Sequence, residues 1–284
     1  MADAKEVPAQ VQDRHPGREH EMTPRPDYAP RFPGNGRLKD KVALVTGGDS
    51  GIARAVCVLF AREGARIAFV YLEEDRDAEE TKAAVEAEGG EALAIRGDVR
   101  SKAFCEDAVR QTVARFGRLD VLINNAAIQN DVETIEDLPE AQLRATFETN
   151  VYGYFFMAQA ALPHMKPGAT MVMTTSVNAF KGNDSLVDYS ATRGAAQALA
   201  RSLASQLASR GVRVNAVAPG PVWTPFIPSS MPPEKVEGFG SHVPMGRPGQ
   251  PWEIATCHLF LACDESSYVT GQTLHPNGGT PVGA

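Results

Sequence analysis

Short apolar runs alternate with amphipathic stretches along most of the chain. Val42–Thr46 is a continuous apolar run ended by glycines, the pattern of a strand buried on both faces. Ala53–Arg62, closed by Gly64, predicts a helix, and Arg66–Leu72 a second strand. Asp77–Glu88 predicts a charged helix stopped by Gly89 and Gly90, and Ala92–Ile95 a third strand. Ser101 is placed to cap a helix whose inner face carries Phe104, Ala108, Val109, Val113 and Phe116, with Gly117 as its stop. Leu119–Ile123 predicts a fourth strand, helical segments cover roughly 140–163, and Thr170–Thr174 predicts a fifth strand. Tyr189–Ser209 reads as a long helix with Leu199, Leu203 and Leu207 inward, and Val212–Val217 as a sixth strand. A Pro-rich loop runs to about Pro251, then a helix and a last strand near Gln272–His275. Strands alternating with helices predict an α/β fold: a doubly wound parallel sheet of about seven strands, with ligands beyond its carboxyl ends.

Residues 1–36 break this pattern. They hold Pro8, Pro16, Pro24, Pro26, Pro30 and Pro33, mixed charges and few large apolar groups. Proline removes donors and fixes φ, so neither a regular helix nor a central strand is expected. The segment reads as an N-terminal Pro-rich arm before one domain at 37–284. It is either mobile or laid over its own domain or a neighbouring subunit, with Tyr28 and Phe32 as anchors.

Composition narrows the function classes. The 284 residues are 43% hydrophobic and carry a net charge of −7, which opposes binding to nucleic acid. No run approaches the roughly 20 apolar residues of a membrane span, and no apolar run marks a secretory signal. Cys57, Cys105, Cys257 and Cys263 lack CxxC or metal-ligand spacing and read as buried thiols, so no metal site is expected. A reducing, cytoplasmic setting fits these features.

Chemistry enters at Thr46-Gly-Gly-Asp-Ser-Gly-Ile-Ala53, between the first strand and the first helix. Gly47 permits a tight turn, Gly51 permits close approach of backbone to a pyrophosphate, and the helix N-terminus offers free N–H groups. That context makes Gly47, Asp49, Ser50, Gly51 and Ile52 candidates for dinucleotide binding. Further along, Tyr189 and Arg193 share a helix face, and Ser176 lies 13 residues before Tyr189.

Taken in order, these residues resemble the short-chain dehydrogenase/reductase family, from about residue 38 to the end. TGGDSGIA resembles its TGxxxGIG, with Ala53 for the last glycine, and Asn124-Asn-Ala-Ala127 resembles its NNAG. Gly-Gly-Asp-Ser-Gly, Ala-Pro-Gly-Pro-Val-Trp-Thr-Pro and Ser-Ser-Tyr-Val-Thr-Gly-Gln resemble the glucose/ribitol-dehydrogenase-like and general-stress subgroup. The resemblance implies a Rossmann-type catalytic domain, a nicotinamide dinucleotide, a small carbonyl or alcohol substrate and a homotetramer. It further implies that Asp98 and Val99 hold the adenine beside Tyr71 and Leu72, and that Asn125 and Ala126 line the cofactor. Pro219, Gly220, Val222 and Thr224 would grip the nicotinamide. Tyr189 would act as acid/base, Ser176 would hold the substrate oxygen, and Asn150 would order a relay water.

The chain departs from the family at the cation, where YxxxK reads Tyr189-Ser-Ala-Thr-Arg193. A phenol with an ordinary pKa near ~10 needs a nearby cation to work at neutral pH. Arg supplies the charge but does not deprotonate. Three readings stay open: an NAD(P)(H)-dependent oxidoreductase, a dinucleotide-binding protein with little turnover, and non-redox chemistry.

The cofactor leans to NAD(H), because Glu73, Glu74 and Asp75 after the second strand should repel a 2′-phosphate, with Arg76 the one base nearby. Gln129, Asn178, Lys181 and Trp223 are candidates for the substrate pocket. The loop Phe226–Pro248 reads as a lid or a connector, and His275 as structural.

Overall fold

The computed structural model describes residues 7–282. The first six residues of the expected arm, and the last two of the expected domain, lie outside the described residues.

Seven strands form one sheet: β1 (Val42–Thr46), β2 (Arg66–Tyr71), β3 (Ala92–Arg96), β4 (Val121–Asn124), β5 (Thr170–Thr174), β6 (Arg213–Val217) and β7 (Thr273–Leu274). Their order is β3-β2-β1-β4-β5-β6-β7, and every pairing is parallel. The α/β expectation of a doubly wound parallel sheet is therefore met.

Alternation along the strands feeds two cores. Val42 and Leu44 of β1 enter one, with Phe116 of α3 (Lys102–Phe116), Tyr154 of α5 (Gly153–Ala161) and Leu199 of α7 (Val187–Leu207). Ala43 and Val45 enter the other, with Phe60 of α1 (Gly51–Arg62), Val85 of α2 (Asp75–Ala87) and Leu259 of α9 (Pro251–Ala262). Burial on both faces explains why the strands read as unbroken apolar runs.

β1 pairs with β2 on one side and β4 on the other, so the chain reverses direction across the sheet there. The crevice at that switch point lies beyond Thr46 and Asn124. Ser101 caps α3 by accepting the Phe104 N–H, and Gly117 ends it at φ +81°, as the sequence predicts. α1 begins at Gly51, ahead of the predicted Ala53, because its first amide is met by a distant carboxylate, Glu19. Between α4 (Glu140–Phe147) and α5, residues Glu148–Tyr152 wind as a π-turn with Asn150 buried. Asn178–Lys181 forms the short α6, and the loop after β6 carries one short helix, α8 (Pro233–Val236).

Residues 7–36 run along the domain surface. Glu19 and Met22 are buried, and Tyr28 lies under the Arg54 guanidinium, 5.3 Å from its ring centre. Phe32, expected as an anchor, is 70% exposed instead.

Candidate active site

One cavity of about 490 Å³ opens at the switch point, lined from β2, β5, α7 and the turns after β1, β4 and β6. It brings together most of the residues named from sequence. Gly47, Asp49, Ser50, Gly51 and Ile52 form one wall, Tyr71, Leu72, Asp98 and Val99 another, and Asn125 and Ala126 the floor beside β4. Pro219, Gly220, Val222 and Thr224 close the far side near Ser176, Tyr189 and Arg193. Gln129, Asn178 and Lys181 also line it.

The glycine turn is built for close approach. Gly47 has φ +71°, and a Cβ there would lie 3.2 Å from the Ala126 Cα. Gly51 has φ +55°, and a Cβ there would lie 3.1 Å from the Thr224 methyl. Thr46 ties the turn to β4, its hydroxyl accepting the N–H groups of Asn125 (2.9 Å) and Ala126 (3.0 Å). The Gly51 N–H donates to Glu19 Oε2 at 2.6 Å and so is not free for a phosphate. The Ile52 N–H, which an α-helix cannot satisfy internally, has no protein acceptor among the described residues. Ser50 at the N-cap makes no capping bond.

Tyr189 projects from α7 between two rings of charge and apolar surface. The Arg193 guanidinium sits 4.8 Å from its ring centre, and Phe226 packs at 6.0 Å between centroids. No protein group among the described residues bonds the Tyr189 hydroxyl. Ser176 Oγ accepts the Asn178 N–H at 3.1 Å, leaving its own proton to donate.

Arg193 is buried, and one nitrogen is fixed: Nη1 donates to the Tyr154 hydroxyl (3.1 Å) and the Thr174 carbonyl (2.9 Å). Nε and Nη2 have no partner among the described residues. Burial works against its proton, but the Tyr154 and Tyr189 phenols outweigh this and hold the guanidinium above its ordinary value. A buried guanidinium with two orphaned donors facing a cavity is incomplete without an acceptor-rich ligand. Vicinal ribose hydroxyls would supply such acceptors, and the uncapped helix start suits a pyrophosphate. The residues present therefore fit a nicotinamide dinucleotide.

Asn150 does not reach the cavity wall. Its amide exchanges bonds with Ile128, accepting from the N–H and donating to the carbonyl, each at 2.8 Å. It also donates to Thr192 Oγ1 (3.1 Å), which in turn donates to the Tyr189 carbonyl (2.7 Å). Asn150 thus couples the β4 loop to the helix that carries Tyr189.

Trp223 corrects the sequence reading. It is fully buried away from the cavity, and its indole N–H donates to the Pro24 carbonyl at 2.8 Å. Its neighbours suggested a pocket, but an arm two hundred residues upstream claims it. Sequence reasoning also passed over Tyr154 and the arm residues His15, Pro16 and Gly17, all of which bear on the site. Nothing local marks them, since their partners are distant in the chain.

The ground for favouring NAD(H) also falls. Arg14 bridges Glu73 (2.7 Å) and Glu74 (2.6 Å), and Arg18 adds a bond to Glu74 at 3.2 Å. Glu73 and Glu74 are therefore paired by the arm and Asp75 by Arg96 (3.1 Å), which removes the reason given for repelling a 2′-phosphate.

A family model described as enoyl-(acyl carrier protein) reductase matches residues 47–281. General stress protein 39 of Bacillus subtilis is 54% identical, covering 98% of both chains. Glucose and ribitol dehydrogenase of Daucus carota is 52% identical over 99% of each. NADPH-dependent aldehyde reductase 1 of Arabidopsis thaliana is 51% identical, over 97% of this chain and 98% of its own. Among solved structures, a short-chain dehydrogenase from Burkholderia cenocepacia in complex with NADP aligns at TM-score 0.80. It is 30% identical and covers 86% of this chain and 98% of that one.

Proposed function

The chain belongs to the short-chain dehydrogenase/reductase family, and from that premise we propose that it interconverts a small carbonyl compound and its alcohol at the cavity holding Ser176, Tyr189 and Arg193. The observation that carries this reading is the free Tyr189 hydroxyl beneath a fixed, half-unsatisfied guanidinium. A bound nicotinamide dinucleotide supplies or takes the hydride. Arg193 Nε and Nη2 would hold its ribose, and Ile52 N–H and Ser50 its pyrophosphate. The paired Glu73 and Glu74 admit both coenzymes, and the NADPH-dependent relative and the NADP-bound neighbour favour NADP(H).

Ser176 Oγ–H donates to the substrate oxygen, and Tyr189 gives that oxygen its proton in reduction or takes it in oxidation. The Arg193 charge offsets the negative charge that builds on the phenol oxygen as the proton leaves. Because a guanidinium does not itself deprotonate, Arg193 acts by charge and position. Asn150 is a positioning residue through Ile128 and Thr192. Gln129, Asn178 and Lys181 face the substrate, a small aldehyde, ketone or polyol. The expected homotetramer belongs to the same proposal, with the half-exposed Tyr152 and Phe155 of the π-turn and α5 as contact candidates.

The test is reduced-nicotinamide absorbance with NADPH and with NADH against propanal, benzaldehyde, glucose and ribitol. Turnover should fall by about 10²-fold or more in Tyr189→Phe while coenzyme binding persists, since acid–base catalysis contributes that order. Coenzyme binding without turnover in the unaltered protein would favour the dinucleotide-binding alternative. Product formed with no change in the nicotinamide would favour non-redox chemistry.

A further inference from the structure

The cavity has a wall that no family motif supplies. His15, Pro16 and Gly17 of the arm line it, with Gly17 against Pro225. Around this tripeptide the arm is fastened to both halves of the site.

On the coenzyme side the fastening is polar. Glu19 accepts the first amide of α1, at Gly51, and pairs with the buried Arg54 at 2.5 Å. Asp77 of α2 accepts the backbone N–H groups of Glu19 (2.8 Å) and His20 (3.1 Å). On the other side it is apolar and backbone-mediated. Val7 and Met22 form a third buried cluster with Trp223, Ile227 and Val236, separate from both faces of the sheet. The Gly238 N–H donates to the Val7 carbonyl (2.9 Å), and the Gln12 N–H to the Pro228 carbonyl (2.6 Å). The Trp223 indole N–H donates to the Pro24 carbonyl (2.8 Å). At position 17 the two strands of chain touch so closely that a Cβ would stand 2.2 Å from the Pro225 carbonyl oxygen.

The arm supplies Val7 and Met22, two of the five buried residues of this cluster; the loop adds only the partly buried Phe226, Met231 and Phe239 around them. Without residues 7–24, Trp223, Ile227 and Val236 would lose that arm side of their cover. We propose that residues 7–24 are a specificity-determining wall of the active site, bridging α1 to the loop 223–239 and fixing how far that loop stands from the coenzyme. In this arrangement the loop is held by the arm and is not a free lid. The substrate role of the loop rests on the function proposed above.

Gly17→Ala and Met22→Ala, made in a Trp252→Phe background, leave Trp223 as the one tryptophan. Each variant should shift Trp223 emission to the red and speed tryptic cleavage after Lys235 at least tenfold. KM for propanal should rise fivefold or more, while the NADPH dissociation constant stays within twofold. Unchanged emission, cleavage and KM in both variants overturn the proposal, as does a red shift with cleavage and KM unmoved. Should both variants fail to fold, hydrogen exchange on the unaltered protein decides. Residues 7–24 and 223–239 should open together, and exchange of the loop while the arm stays protected overturns the proposal. Emission, cleavage and exchange need no turnover, so a protein with a coupled arm and loop but no activity would sink the proposed reaction alone.

Discussion

Arg193 stands where the resemblance implies a lysine, and Tyr154 is one of the residues that hold it in place. A lysine presents one nitrogen; an arginine presents a planar fork that must be held at one end to aim the other. Here the held end is Nη1, caught between the Tyr154 hydroxyl and the Thr174 carbonyl, with the guanidinium also 5.7 Å from the Tyr154 ring centre. Tyr154→Phe deletes one acceptor and leaves a buried charged donor short of a partner, at a cost of about 1–3 kcal/mol. We expect kcat to drop about tenfold and the pH profile of kcat/KM to move, with the coenzyme bound more weakly. An unaltered pH profile alongside a simple loss of thermal stability would reduce Tyr154 to a structural role. Tyr189 and Arg193 were readable as neighbours from spacing, because a helix puts positions four apart on one face, and Ser176 was named through the family resemblance. Tyr154 was not, since it reaches the site from another helix and looks like any core aromatic.

At the scale of elements, the strands were legible because a doubly covered parallel sheet makes each an apolar run, and β5 matches its predicted range residue for residue. Helix starts were less legible where the capping group is remote, as with Glu19 at α1. The packing of α9 on β5 adds a feature that sequence periodicity does not convey. His258 is fully buried between them, its Nε2 accepting from Thr174 Oγ1 (3.0 Å) while Nδ1–H faces the Ile254 carbonyl (3.2 Å). Burial pushes its imidazole down from 6.5 to about 4. Below pH 6.5 the unfolded chain takes up a proton there that the folded chain refuses until about pH 4. Stability from this group is therefore full above pH 6.5 and is lost as pH falls towards 4, by on the order of 3 kcal/mol. Urea titrations across that range should show the decline in the unaltered protein and a flatter course in His258→Gln. Parallel curves for the two proteins would contradict the assignment.

Across the whole molecule, the two large cores share every central strand and should unfold as one, whereas the third cluster joins only the arm and one loop. Small clusters with few apolar contacts open below the global transition. Trp223 fluorescence should therefore change at lower urea than the far-UV circular dichroism signal; coincident transitions would show the third cluster to be integral to the main cores. The same arm also governs how the molecule comes into being. Glu19 meets Gly51 only 32 positions later, but Pro24 waits for Trp223, 199 positions later, and Asp27 for Gln250, 223 positions later. At ordinary elongation rates of roughly 5–20 residues per second, that interval lasts on the order of 10–40 s. Through it Pro24 and Asp27 lack these partners, in a segment rich in proline and mixed charge. The arm's hold on Trp223 and Gln250 can therefore be completed only after those late segments are made.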